Sequence, residues 1–165
     1  MAATRAAVVA VLGSLPVPDG AELRALATRV DALEVRADRV GDLDVHWLRQ
    51  QFSGTLVYTL RSVEEGGQFR GDRADRHARL QAAARDYDQV DLEWATDLTT
   101  ELLAAVPAGR RRLSRHVGRV AAGVAELAAV LDRMTATPAA LYVLSLDADT
   151  AEDAVAVVSL LAAAR

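Results

Sequence analysis

The chain has 165 residues, 17.6 kDa, with 52% apolar and 25% charged side chains, the make-up of one globular domain with a sizeable core. Its 19 basic and 23 acidic residues leave a net charge of -4, which argues against a dedicated nucleic-acid binder, since that needs a basic surplus on at least one face. Cysteine is absent, excluding disulfides and thiolate chemistry, and all 19 basic residues are Arg, so no side chain carries a primary amine.

Along the chain, short β-type runs alternate with stretches of helical period. Ala6–Leu12 is a compact Val/Ala/Leu run stopped by Gly13, Pro16 and Pro18. Ala21–Val30 carries Leu23, Leu26, Ala27 and Val30 at the spacing of one helix face. Ala32–Ala37 reads as a strand, Val45–Phe52 as a short helix and Thr55–Leu60 as a β-branched, aromatic strand. A polar loop, Arg61–Gly71, leads to a helix at Arg73–Tyr87, whose alternating Arg and Asp read as a solvated start with local ion pairs. Gln89–Trp94 is the next strand, and Leu98–Val106 a helix closed by Pro107 and Gly109. Arg111–Ser114 is a strand that begins unusually basic. Val124, Leu127, Ala128, Leu131 and Met134 mark an amphipathic helix, Leu141–Leu146 a strand, and Thr150 is placed to cap a helix over Ala151–Ala164.

Six βα units with no linker predict one domain over residues 1–165, with parallel strands and right-handed crossovers. A doubly wound sheet and part of a (β/α)₈ barrel both fit. Residues 13–20 hold no glycine-rich phosphate loop, which disfavours the dinucleotide-binding version. No apolar run is long enough for a membrane span and no secretory cleavage pattern follows the first one, so a cytoplasmic location without a membrane partner is expected.

Four strands end on polar residues at i and i+2: Glu34 and Arg36, Thr59 and Arg61, Asp91 and Glu93, Ser114 and His116. Residues two apart share a face, and parallel α/β proteins gather their sites at the C-terminal ends of the strands. Charges at that depth must pair with each other or meet a polar ligand, so one shared polar cavity is expected. Among other residues, His46 and His77 are expected on exposed helix surfaces, and Trp47 and Trp94 as core or interface aromatics. Arg110, Arg111, Arg112, Arg115 and Arg119 form one basic cluster, read as a helix C-terminus with a charged strand entrance, or as an anion or partner surface. No His, Asp and Glu grouping has metal-ligand spacing.

The run from LEVRAD through TLRSVEEGG, VDLEW and SRH resembles the type I 3-dehydroquinate dehydratases of the shikimate pathway. That family carries Glu-x-Arg on its second strand, Thr-x-Arg followed by Glu-Gly-Gly on the third, Asp-x-Glu on the fourth and Ser-x-His on the fifth. Arg61 with Glu65, Gly66 and Gly67 is the most specific piece. The resemblance implies a TIM-type (β/α)₈ barrel that dehydrates 3-dehydroquinate to 3-dehydroshikimate through a Schiff base, without a cofactor. It makes His116 the general base and acid. Glu34, Arg36, Arg61 and Glu65 become substrate-binding residues, with Asp91 and Glu93 in support of the His.

Two departures stand out. Counting back from the AEDAV segment, Val143 stands where the family's Schiff-base Lys belongs, and no other Lys can replace it. An Arg does not form such an imine, because its guanidinium stays protonated. The chain also holds about six of the eight βα units of a barrel that usually takes about 250 residues. Three readings follow: a ligand-binding or regulatory domain without covalent catalysis, a dehydratase that works through His116 without an imine, or a structural barrel fragment. The expected partners are a small shikimate-pathway carboxylate and a second copy or partner chain that covers the open barrel.

Overall fold

The computed structural model describes residues 7–117, 123–148 and 150–163. Six strands form one all-parallel sheet: β1 (Val9–Leu12), β2 (Ala32–Arg36), β3 (Thr55–Thr59), β4 (Gln89–Glu93), β5 (Arg111–Val117) and β6 (Leu141–Leu146). The helices are α1 (Gly20–Leu26), α2 (Ala37–Val40), α3 (Val45–Gln51), α4 (Arg73–Asp86), α5 (Thr100–Ala105), α6 (Gly123–Thr135) and α7 (Ala151–Ala163), with 3-10 turns at Val63–Glu65 and Ala108–Arg110. Strand order follows the sequence from β1 to β6. A doubly wound sheet reverses its order midway, so that alternative is removed.

The sheet curls. Arg112 on β5 donates to Glu34 on β2 at 3.1 Å, although three inter-strand spacings in a flat sheet would separate these strands by about 14 Å. The architecture is therefore an incomplete (β/α) barrel with β1 and β6 at its two edges.

Strand alternation sets the layers. Leu33, Val35, Leu56, Tyr58, Leu92 and Leu113 point outward and are buried under the helices against Leu23, Leu48, Leu80, Leu102 and Met134. The opposite face carries the polar strand ends. At the helix starts, Asp19 accepts the Ala21 and Glu22 amides while Glu22 returns to the Asp19 amide. Thr150 and Asp153 make the same reciprocal pair before α7, as the sequence predicts.

Several elements differ from their sequence-based bounds. β2 stops at Arg36 because α2 begins at once, turned by the paired hydrogen bonds from Arg36 to Asp38 at 2.8 Å. β5 runs on to Val117 because β6 pairs with it as far as Val117↔Leu146. The start of α4 is not a purely solvated face: Arg76 is buried and bonds Asp97, 21 residues away. Arg76 lies four residues before Leu80 and seven before Ala83, on the buried stripe. His77 is only partly exposed, with its Nε2 3.9 Å from Asp97.

The basic cluster divides among separate partners. Arg110 caps the carbonyls of Tyr87 and Asp88, Arg112 pairs with Glu34, Arg115 pairs with Glu65, and Arg119 lies outside the described residues. Arg111 donates to the carbonyls of Leu103 and Val106 at the end of α5 and to Pro138 before β6. No helix among the described residues is long and apolar enough to cross a membrane.

Burial holds the Arg111 pKa below its ordinary value, and its ligands are carbonyls at a helix C-terminus, where a cation is favoured. Replacing Arg111 by Met is expected to lower stability by about 2 kcal/mol, the scale of charged hydrogen bonds. The readout is a lower urea midpoint at unchanged slope. An unchanged midpoint would show that water satisfies these carbonyls equally well.

Candidate functional site

Arg61 leaves the end of β3 with its guanidinium inside the curl of the sheet. It donates to Ser114 Oγ at 2.7 Å and Asp91 at 3.1 Å, and lies 3.4 Å from Glu65 and 3.5 Å from Glu93. The side chain is 5% exposed, and the three carboxylates are 2% exposed or less. Asp91 also accepts the Ser114 hydroxyl. Three buried anions and one cation would be a costly excess of charge, but a second guanidinium helps: Arg76 stands 3.3 Å from Glu93.

The segment after Arg61 is folded back on itself. Ser62 caps the 3-10 turn by accepting the Glu65 amide, and Gly67 returns its own amide to the Ser62 carbonyl at 2.7 Å. Gly66 has φ +78°, the left-handed region where a side chain is strained. A Cβ on Gly67 would lie 2.2 Å from the Arg61 carbonyl oxygen. The two glycines thus let the chain reverse tightly enough to bring Glu65 over the barrel interior.

Glu65 there meets β5. Its carboxylate accepts the His116 amide at 3.0 Å and Arg115 at 2.9 Å, and stands 3.2 Å from His116 Nδ1. Hydrogen bonds from His116 and Arg115 and the Arg61 charge hold the Glu65 pKa below the ordinary value, overcoming the opposing effect of burial. An ionised carboxylate can only accept, so Nδ1 carries the proton and Nε2 of a neutral ring is the free base. The imidazole is 31% exposed, so part of the ring is open to solvent.

Farther round the sheet, Glu34 accepts Thr59 at 2.9 Å and Arg112 at 3.1 Å. Arg36 is turned away from this group into its pair with Asp38, so the i, i+2 pattern places it near the site without joining it to the others. Val143 pairs with Ser114, and Ser145 with His116. Partners in parallel strands share a face, so Val143 is on the His116 side of the sheet. Arg61, Glu65, Asp91, Glu93 and His116 are linked directly or through Ser114, while Glu34 with Thr59 and Arg112 forms a neighbouring group whose charges act on Asp91.

Burial drives the Asp91 and Glu93 pKa values up despite the nearby guanidiniums. The interior therefore holds carboxyls of opposite tendency, Glu65 lowered and the pair below it raised. Asp38, Ser62, Arg76, Asp97, Arg112 and Arg115 are partners that strand-end reasoning does not reach. Arg76 carries the one usable signal, a charge on an otherwise apolar helix stripe.

Two expectations follow. Replacing Arg61 by Met should cost about 3–5 kcal/mol near neutral pH, because it leaves buried carboxylates uncompensated. Raised carboxyl pKa values mean that the folded state binds protons the unfolded chain does not. The variant should therefore recover stability as pH falls toward the ordinary carboxylate range, and a pH-independent loss in chemical denaturation would refute the electrostatic cause. Glu65→Gln has the opposite sign. A lowered pKa contributes stability above the ordinary Glu value, lost as pH falls through the folded one. The deficit of the variant should be about 2 kcal/mol at pH 7 and shrink on acidification.

A family model described as Type I 3-dehydroquinase matches residues 8–165. A 3-dehydroquinate dehydratase of Methanospirillum hungatei is 39% identical over 69 residues, covering 40% of this chain and 27% of that protein. One from Methanopyrus kandleri is 38% identical over 93 residues, 52% of this chain and 43% of its own length. The matched segments thus span less than half of these curated relatives. The crystal structure of the type I 3-dehydroquinate dehydratase from Clostridium difficile has a TM-score of 0.74 at 18% identity, covering 93% of this chain and 68% of that one, which is a likeness of fold. A family match running from the first strand to the last helix, over a sheet already curled as an incomplete barrel, means that the chain belongs to the type I 3-dehydroquinase family.

Proposed function

We propose that this domain has lost covalent dehydratase catalysis and keeps a noncovalent site for a hydroxylated cyclic carboxylate of the shikimate pathway. The observation that carries the reading is the residue at 143. Val143 lies beside Ser114 on the face that holds His116, at the position assigned to the Schiff-base Lys, and the sequence contains no Lys at all.

The chemistry explains why this matters. Dehydration removes a proton next to the substrate ketone and expels a hydroxyl as water. An imine accepts the electrons left by the proton; without it, an enolate needs another electrophile. Arg61 is already shared among three carboxylates and Ser114, and Arg36 is closed by Asp38. Both cations have their charge matched before any ligand enters. Glu34, Arg61 and Glu65 then shape and line the site, Arg36 stands at its margin on Asp38, Asp91 and Glu93 support it, and His116 faces the ligand.

A second reading, slow dehydration through His116 alone, is favoured by one feature, the free Nε2 of a ring oriented by Glu65. A third, a barrel completed by a second copy or another chain, is favoured by the exposed apolar residues at both edges: Val9 and Val11 on β1, and Leu141 on β6.

Borohydride reduction in the presence of 3-dehydroquinate should leave no adduct on any side chain, and Val143→Lys should give a trappable one. Binding of 3-dehydroshikimate by calorimetry, with enone formation from 3-dehydroquinate followed on the same sample, separates the readings. Binding without turnover supports the first. Turnover abolished in His116→Ala supports the second. An internal adduct on the unaltered chain would overturn the proposal.

A further inference from the structure

The ladder between β3 and β4 is the shortest in the sheet. The two strands share only the pairs Val57↔Gln89 and Tyr58↔Val90, whereas β4 and β5 stay paired to Glu93↔Ser114. Beyond Tyr58 the strands part, and backbone groups that would have faced each other need other partners.

Side chains supply them. Arg76 donates to the Leu60 carbonyl. The Glu93 carboxylate accepts both the amide and the hydroxyl of Ser62 at 2.8 Å. Asp97 accepts the Glu93 amide at 2.7 Å. One guanidinium joins the two acids, with Arg76 Nη2 2.8 Å from Asp97 and 3.3 Å from Glu93. Arg76, Glu93 and Asp97 are all buried, so water competes little for these bonds. The parting occurs where Arg61 enters the interior to reach Asp91 and Ser114.

We infer that Arg76 and Asp97 are positioning residues of the site, an ionic bridge that sets the separation of β3 and β4 and thereby the placement of Arg61. Through Glu93 the bridge also seats Ser62, which caps the turn bearing Glu65. Neither residue bonds directly to Arg61 or to His116; both act through Glu93 and the backbone. Both residues, with Ser62 and Thr96, also line a cavity of about 580 Å³. The alternative role, docking α4 on the sheet, would affect the whole domain evenly.

Amide hydrogen exchange on the full chain tells the two apart. In Arg76→Met and in Asp97→Asn, the Ser62 and Glu93 amides should exchange about tenfold or more faster, the scale of one lost charged hydrogen bond. That rise should exceed any change at Val35, on the far side of β3. Arg76→Lys keeps the charge but cannot hold Leu60 and both acids at once, so it should fall between. An equal rise at Ser62, Glu93 and Val35 in both variants would overturn the inference, and Asp97→Asn decides it if Arg76→Met does not fold. The functional consequence rests on the ligand site proposed above: 3-dehydroshikimate affinity should fall about tenfold in Arg76→Met and partly return in Arg76→Lys. An unaltered chain that binds no 3-dehydroshikimate would end that earlier reading, while the exchange measurement still decides this one.

Discussion

A single guanidinium makes the inner face of this sheet possible. Three carboxylates converge on Arg61, all nearly withdrawn from solvent, and carboxylates in such a place cannot ionise together without a cation among them. Arg61 also ties three elements at once: β4 through Asp91, β5 through Ser114, and its own following turn through Glu65. Glu65 in turn orients His116, its charge held by the His116 and Arg115 hydrogen bonds with a smaller contribution from Arg61.

The network is also self-contained. Its members come from β2 to β5, the middle of the sheet, while the edges are apolar and exposed at Val9 and Val11 on one side and Leu141 on the other. An incomplete ring can therefore keep an ordered polar centre, since among the described residues no charge in that centre pairs with a group on β1 or β6. The edges face a different constraint. Exposed apolar side chains on edge strands favour association over solvation, so what happens at β1 and β6 is separable from what the central site does.

The strand ends were largely legible in the sequence because period-two alternation is a strong geometric statement: if Asp91 faces inward, so does Glu93. The same rule says where a side chain starts and nothing about where its far end goes. Arg36 starts on the correct face and ends on Asp38, two residues away, because a bidentate partner lay closer than the interior. Arg76 and Asp97 escape for the opposite reason. In a stretch crowded with Arg and Asp, local pairs account for every charge, and only the tertiary fold reveals a bond spanning 21 residues. The apolar company of Arg76 on its helix, with Leu80 and Ala83, was the available warning. Register between β5 and β6 was not readable from either strand alone, since it depends on how the sheet curls.

The interior is rich in cations that cannot act as nucleophiles. Arg112 points inward from β5, bonds Glu34 across the curl, and precedes by one inward step the level where Ser114 pairs with Val143. Its charge and that of Arg61 both help to offset Asp91, so carboxylates in this centre are compensated without an ammonium group. Guanidinium and ammonium are equivalent for that electrostatic task and not for imine chemistry, where a deprotonated amine must attack. A chain whose basic residues are all Arg can thus keep the charge balance of a carboxylate-rich barrel interior without any amine. Under the proposed reading, selection for the fold acts on charge and geometry, which Arg supplies. Covalent turnover needs the one property that Arg lacks, so the two can separate at a single position.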